Sequence, residues 1–230
     1  MQPAMIREFI SLLFPHFCYS CHRGLITGEK YICTYCRAEL PRANLHRYPD
    51  HPILQRFQGL GPVDHVLAYL RFVKKGRVQK IMNKLKYENR PDVGTMLGEW
   101  YGSELADAGF STAFDLILPV PLHQQKLRLR GYNQSDYFAK GLSMALAIAW
   151  DGKVLQRNLH SETQTRKSRV ERFDNVSGIF ELADPDDVKN KRILLVDDVI
   201  TTGATLFSAA QPIIAAGCGS ISFAALAVAR

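Results

Sequence analysis

The stretch Ile193–Thr205, Ile-Leu-Leu-Val-Asp-Asp-Val-Ile-Thr-Thr-Gly-Ala-Thr, constrains this chain more than any other. Four apolar residues run without interruption into two adjacent carboxylates, the pattern of a strand buried on both faces of a parallel sheet. Asp197 and Asp198 then stand at its carboxyl end, where open α/β sheets bind their ligands. Beyond the turn, Leu206, Ala209, Ala210, Ile213 and Ile214 recur at helical spacing, so the turn opens a helix. Thr201, Thr202, Gly203, Ala204 and Thr205 would present backbone N–H groups and hydroxyls at the positive end of that helix, an arrangement suited to a phosphate. Pro212 falls inside the same helix and predicts a kink or a cost of about 3 kcal/mol.

Carboxylates that accept from vicinal hydroxyls, with a phosphate cradle one turn away, describe a site for a ribose 5-phosphate. The plain alternative is a solvated acid pair followed by an ordinary threonine cap. The stretch resembles, at every position, the thirteen-residue 5-phosphoribosyl-1-pyrophosphate (PRPP) motif of type I phosphoribosyltransferases. That resemblance implies a parallel sheet flanked by helices. It places Asp197 and Asp198 on the ribose hydroxyls, the Thr201–Thr205 turn on the 5-phosphate, and Mg²⁺ beside the bound PRPP.

A chain of 230 residues with 47% apolar content is long enough for one α/β domain and a small appendage. Charged residues at 22% make wholesale disorder a poor fit. The net charge of +7 favours polyanionic partners, whether pyrophosphate, nucleotide or nucleic acid. No apolar run has the length of a membrane span. Met5–Phe14 carries Arg7 and Glu8 and lacks the pattern of a secretory signal, so a cytoplasmic protein is expected. Within this opening, Ile6, Phe9, Ile10 and Leu13 predict a short amphipathic helix.

Cys18-x2-Cys21 and Cys33-x2-Cys36 follow, separated by eleven residues. Each spacing lets two sulfurs of one knuckle face a single ion, and two knuckles complete a tetrahedron. Four thiolates suit a structural Zn²⁺ and leave no open coordination position. An iron–sulfur cluster is the alternative this spacing leaves open. A redox dithiol needs only one such pair, and structural disulfides do not suit a reducing compartment. His16 and His22 are expected beside the ligands or at the surface, with Tyr19, Tyr31 and Tyr35 packed around the knuckles. Cys218 reads as a small buried side chain.

Arg37–Gly61 has no strong periodicity and contains Pro41, Pro49, Pro52 and Gly59, so it reads as linker or irregular cover. A first segment over 1–61 and a second domain over 62–230 are expected. In the latter, Val66–Val73 reads as a strand and Val78, Ile81, Met82 and Leu85 as one face of a helix. Lys74–Arg90 holds seven Lys/Arg against one Glu. Arg77, Lys80 and Lys84 form either a solvated flank or a nucleic-acid surface, with Tyr69, Phe72 and Tyr87 as candidate stacking groups.

A helix over about 93–106 and a buried strand over 114–120 come next, ended by Pro119 and Pro121. The following loop crowds Lys126, Arg128 and Arg130 into five residues, well suited to a diphosphate; a solvated basic loop is the alternative. In type I phosphoribosyltransferases the equivalent loop binds pyrophosphate. Its Pro-Val-Pro-Leu opening and Arg-Gly-Tyr-Asn-Gln ending are similar to the ComF/GntX family of competence proteins, which joins a cysteine-rich zinc module to a phosphoribosyltransferase-like domain. A crossover helix through Phe138–Ala149 and a short strand at Val154–Leu155 follow. The basic stretch Arg157–Phe180 resembles the family's mobile loop through Gln164, Arg172 and Asn175. Ser220–Val228 supplies the last strand.

Two functions follow from the resemblance. One is an enzyme that moves a phosphoribosyl group from Mg²⁺-bound PRPP and releases pyrophosphate, with Asp197, Asp198 and Arg130 as its catalytic residues. The other is a PRPP-sensing protein that holds single-stranded DNA for the competence machinery during uptake.

Overall fold

The computed structural model describes residues 15–48, 50–57, 59–61, 63–158 and 178–229. The predicted amphipathic helix at the start of the chain, and Gln164, Arg172 and Asn175, lie outside the described residues.

Four strands, β1 (Val63–Phe72), β2 (Leu116–Pro119), β5 (Arg192–Ile200) and β6 (Ser220–Ala229), form one sheet in the order β1-β6-β5-β2. All three pairings are parallel. The central strands β5 and β6 are the apolar runs recognised above, and Ile193, Leu194, Leu195 and Val196 are all buried. A separate antiparallel pair, β3 (Leu155–Arg157) and β4 (Phe180–Leu182), brackets the undescribed stretch between them.

Among the described residues six helices accompany the sheet: α1 (Thr34–Ala38), α2 (Arg77–Tyr87), α3 (Pro91–Asp107), α4 (Gln124–Arg130), α5 (Gln134–Leu146) and α6 (Ala204–Ala215). The buried faces of α2, α3 and α5 meet Leu67, Leu194, Val196 and Leu226 in one cluster. α6 packs with Ile193, Leu195, Phe223 and Phe57 in another. α3 and α5 cross at backbone contact. A Cβ on Gly98 would lie 2.3 Å from the Phe138 carbonyl oxygen, and one on Gly141 would lie 2.1 Å from that of Thr95. This seam fixes α5, and with it the residues at its first turn. α6 continues through Pro212 to Ala215.

The cysteine region is not a bead on a string. Cys18, Ile32, Cys33, Cys36 and Leu40 belong to the same buried cluster as α2, α3 and Leu67. The expected linker is also part of the structure. Ala43 N–H donates to the Tyr69 carbonyl at 2.9 Å, Arg71 N–H donates to that of Pro41 at 2.7 Å, and Arg42 bridges to Leu70, so the segment closes the open edge of β1. His51 Nε2 lies 2.8 Å from the Val66 carbonyl oxygen on the same strand.

Candidate functional site

β2 stops at Pro119, paired with Val196, because a chain that reads Pro-Val-Pro cannot continue a ladder. From Asp197 onward β5 has lost its β2 neighbour while still pairing with β6. The acid pair therefore lies at a step in the sheet, on the side where β2 has turned away. Adjacent strand residues project to opposite faces, and the two carboxylates find different partners. Ser135 Oγ donates to Asp197 Oδ1 at 3.3 Å, and the Asp198 backbone N–H donates to the same oxygen at 2.7 Å. Lys86 Nζ on α2 lies 2.7 Å from Asp198 Oδ2. Burial, reinforced by the charge of Asp198, pushes the Asp197 carboxyl up to about 7.

The turn after β5 has the features required of an anion cradle. Gly203 caps α6 with φ +88°, a left-handed conformation that favours glycine. Thr202 Oγ1 accepts from the Ala204 N–H at 3.3 Å. Thr201, Thr202, Ala204 and Thr205 are exposed, and Gly203 is buried. Its cover is Phe57, whose Cζ would be 2.9 Å from a Cβ at position 203. The neighbouring Arg56 donates through Nη1 to the Thr201 carbonyl. Segment 54–57 is thus a brace on the turn that opens α6, and nothing in its composition announces this.

The basic stretch after β2 is a helix, not a loop. His123 accepts from the Gln125 N–H at 3.1 Å to cap α4, and Gly131 ends it at φ +79°. Helical spacing puts Lys126 and Arg130 on one side and Arg128 on the other. Arg130 Nη1 donates to Gln134 Oε1 at 2.7 Å, and its guanidinium stands 5.5 Å from the Tyr87 ring centroid. Asn133 Nδ2 donates to the Val120 carbonyl at 3.0 Å and to Asp136 Oδ1 at 2.8 Å. Burial pushes Asp136 up to about 6. Three successive residues therefore tie the site together: Asn133 holds the end of β2, Gln134 holds Arg130, and Ser135 reaches Asp197. The Arg-Gly-Tyr-Asn-Gln motif marked this place in the sequence without revealing those partners.

Cys18, Cys21, Cys33 and Cys36 have their Sγ atoms within 4.8 Å of one another, and no other group of three or more such ligands occurs among the described residues. Cys21 Sγ and Cys33 Sγ are 3.7 Å apart, close to the edge of about 3.8 Å that a tetrahedron with Zn–S bonds of about 2.3 Å requires. Cys33 N–H donates to Cys18 Sγ at 3.3 Å and Cys36 N–H to Cys33 Sγ at 3.4 Å, while burial pushes the Cys33 and Cys36 thiols up. This donor set fits Zn²⁺. His16 and His22 are exposed and stand outside it. Tyr19 and Tyr31 stack at 5.6 Å beside the knuckles, whereas Tyr35 turns outward.

On α2, Arg77, Lys80 and Lys84 fall at i, i+3 and i+7 and share a face with Tyr87 at i+10. Tyr87 is 67% exposed, but Tyr69 is fully buried and is withdrawn as a stacking group, because β1 is covered on both faces. Phe72 is partly buried against the core. Arg77 pairs with Glu39 and Lys84 with Glu88. Cys218 is half-buried against the α6 cluster. No helix among the described residues is long and apolar enough to cross a membrane.

The phosphoribosyl transferase domain family matches residues 137–230, a span that includes β5, the acid pair and the turn that opens α6. The chain is 27% identical over 221 residues to the DNA utilization protein YhgH of Escherichia coli K12, covering 91% of this chain and 96% of that protein. It is 33% identical over 130 residues to competence protein F of Haemophilus influenzae, covering 55% and 57% of the two chains. It is 31% identical over 102 residues to competence protein ComFC of Bacillus subtilis, covering 44% and 39%. With its parallel sheet, acid pair and four-cysteine cluster, the chain is similar to phosphoribosyltransferase-like proteins of the ComF family.

Proposed function

We propose that this protein binds PRPP at the end of β5 and transfers its phosphoribosyl group to an acceptor, releasing pyrophosphate. The observation that carries the reading is the acid pair at the sheet step, one turn from an exposed threonine cradle at the start of α6. Asp198 and the ionised form of Asp197 accept from the ribose hydroxyls and orient the anomeric carbon. The Thr201–Thr205 turn donates backbone and hydroxyl hydrogen bonds to the 5-phosphate. Arg130 and Lys126 face the diphosphate from one side of α4, with Arg128 completing the basic surround, and stabilise charge as it leaves. The carboxylates supply hard oxygen donors of the kind that suit Mg²⁺ with substrate phosphates. Bound Mg²⁺ would neutralise charge on the diphosphate. Gln164, Arg172 and Asn175 are assigned, by resemblance, to the stretch that closes over the ligand. Zn²⁺ on the four cysteines serves folding.

The test is pyrophosphate release from PRPP and Mg²⁺ across a panel of nitrogenous bases, with single-stranded DNA present and absent. Release that depends on one acceptor and vanishes in Asp198→Asn supports an enzyme. PRPP binding without release under any acceptor supports the second reading, a PRPP-sensing protein that holds single strands. The α2 face favours that second reading: Arg77, Lys80, Lys84 and the exposed Tyr87 line up toward Arg130. Names of relatives connect the family to competence and DNA utilization, which agrees with a DNA partner in the cytoplasm.

A further inference from the structure

Lys86 belongs to none of the groups assigned above, yet it stands in the middle of them. Its Nζ is 2.7 Å from Asp198 Oδ2, with the two side chains 20% and 19% exposed. The residues on either side reach the opposite end of the site. The Leu85 carbonyl accepts from the Tyr132 hydroxyl, and the Tyr87 ring lies under the Arg130 guanidinium. The end of α2 is therefore wedged between the acid pair and the diphosphate helix. Val78, Ile81, Met82 and Leu85 are buried and hold α2 in place, so the lysine stem can move while its backbone cannot.

We infer that Lys86 is a further cation of the PRPP site, paired with Asp198 in the free protein and donating to the diphosphate once PRPP is bound. The inference rests on the PRPP reading and deepens it. A diphosphate beside two carboxylates needs more positive charge than α4 offers on one side, since helical spacing turns Arg128 away from Lys126 and Arg130. An ammonium has three donors, and one carboxylate oxygen engages only one of them. Ribose hydroxyls arriving at Asp198 compete for that oxygen and release the ammonium toward the adjacent diphosphate. A flexible four-carbon stem carrying a compact charge suits such a handover better than a planar guanidinium.

The alternative is a purely structural ion pair joining α2 to β5, and the two are separable on the full-length protein. Calorimetry with PRPP plus Mg²⁺, and separately with ribose 5-phosphate, is run on the parent, Lys86→Met and Lys86→Gln. The amide variant keeps the polar contact to Asp198 and guards against a folding failure of the methionine variant. Both variants are expected to lose at least tenfold in PRPP affinity while ribose 5-phosphate affinity changes less than threefold. Equal losses for the two ligands, or unchanged PRPP affinity, overturn the inference and leave the PRPP reading of the site standing. A folded parent that does not bind PRPP overturns the proposed function itself, and the inference with it.

Discussion

Phe57 lies directly over Gly203, so that a methyl group at 203 would come within 2.9 Å of its ring. The contact joins the segment that follows the cysteine cluster to the turn that opens α6. Phe57 also packs on Phe223 of β6 with ring centroids 4.4 Å apart, which anchors the brace in the sheet. Gly203→Ala therefore meets two penalties, the ring and a backbone φ of +88°. A loss of roughly 1–3 kcal/mol of stability is expected, with ribose 5-phosphate affinity falling as the turn shifts. Thermal unfolding and calorimetry of the variant check both; an unchanged melting temperature contradicts the brace.

Asp197 gives stability a particular pH dependence. Its carboxyl titrates near 7 in the folded protein, against about 3.9 in an unfolded chain. Between those values the folded state holds a proton that the unfolded state has released, so this contribution is present below about pH 4 and is lost as pH rises through 7. Asp136, pushed up to about 6, acts in the same direction. Asp197→Asn should be more stable than the parent at pH 8, with the advantage shrinking toward pH 5. Urea titrations at several pH values read this out, and a pH-independent difference contradicts it. Hydroxyl recognition needs the ionised form, so PRPP affinity should rise through the same window.

The metal prediction follows from the shared core. Purified protein should carry about one zinc per chain, and Cys18→Ser plus Cys33→Ser should abolish it. Because Cys18, Cys33 and Cys36 are buried with Ile81 and Leu67, metal removal should destabilise the whole domain and not a detached module. Metal analysis and unfolding before and after chelation test this. Full metal retention in the double variant contradicts the assignment.

Arg130 separates the two ends of the ligand. Arg130→Ala should weaken PRPP binding more than ribose 5-phosphate binding, since only PRPP carries the diphosphate. Gln134→Ala, which removes the acceptor at 2.7 Å from Arg130, should produce a smaller loss of the same kind. Equal losses for both ligands remove Arg130 from this role.

The parts legible in the sequence were those with local pattern. The apolar run of β5, the two CxxC pairs and the helical face Val78–Leu85 each state their own geometry. Asp197, Asp198 and the threonine turn stand out in the sequence because chemistry and spacing coincide there. What was hidden depends on distant partners. Phe57 and His51 lie in a stretch without periodicity because they serve a sheet edge and a turn, not a helix face. α4 looked like a loop because Leu127 and Leu129 do not recur at helical spacing, and both are exposed. Tyr69 looked available because a strand covered on both faces has no alternation to show which residues are buried. Lys86 was one basic residue among seven in Lys74–Arg90, and only the approach of α2 to β5 distinguishes it.

The central claim is that the acid pair recognises PRPP, and calorimetry on Asp197→Asn plus Asp198→Asn tests it most directly. Asp197→Asn relieves a buried repulsion, while Asp198→Asn leaves the partly exposed Lys86 without its carboxylate partner, so the double variant should fold with stability close to the parent's. Its PRPP binding in the presence of Mg²⁺ should fall by roughly 2–4 kcal/mol, from two charge-assisted hydrogen-bonding groups offset by the amides' residual bonding. A double variant that unfolds, or that binds PRPP as tightly as the parent, would contradict the account.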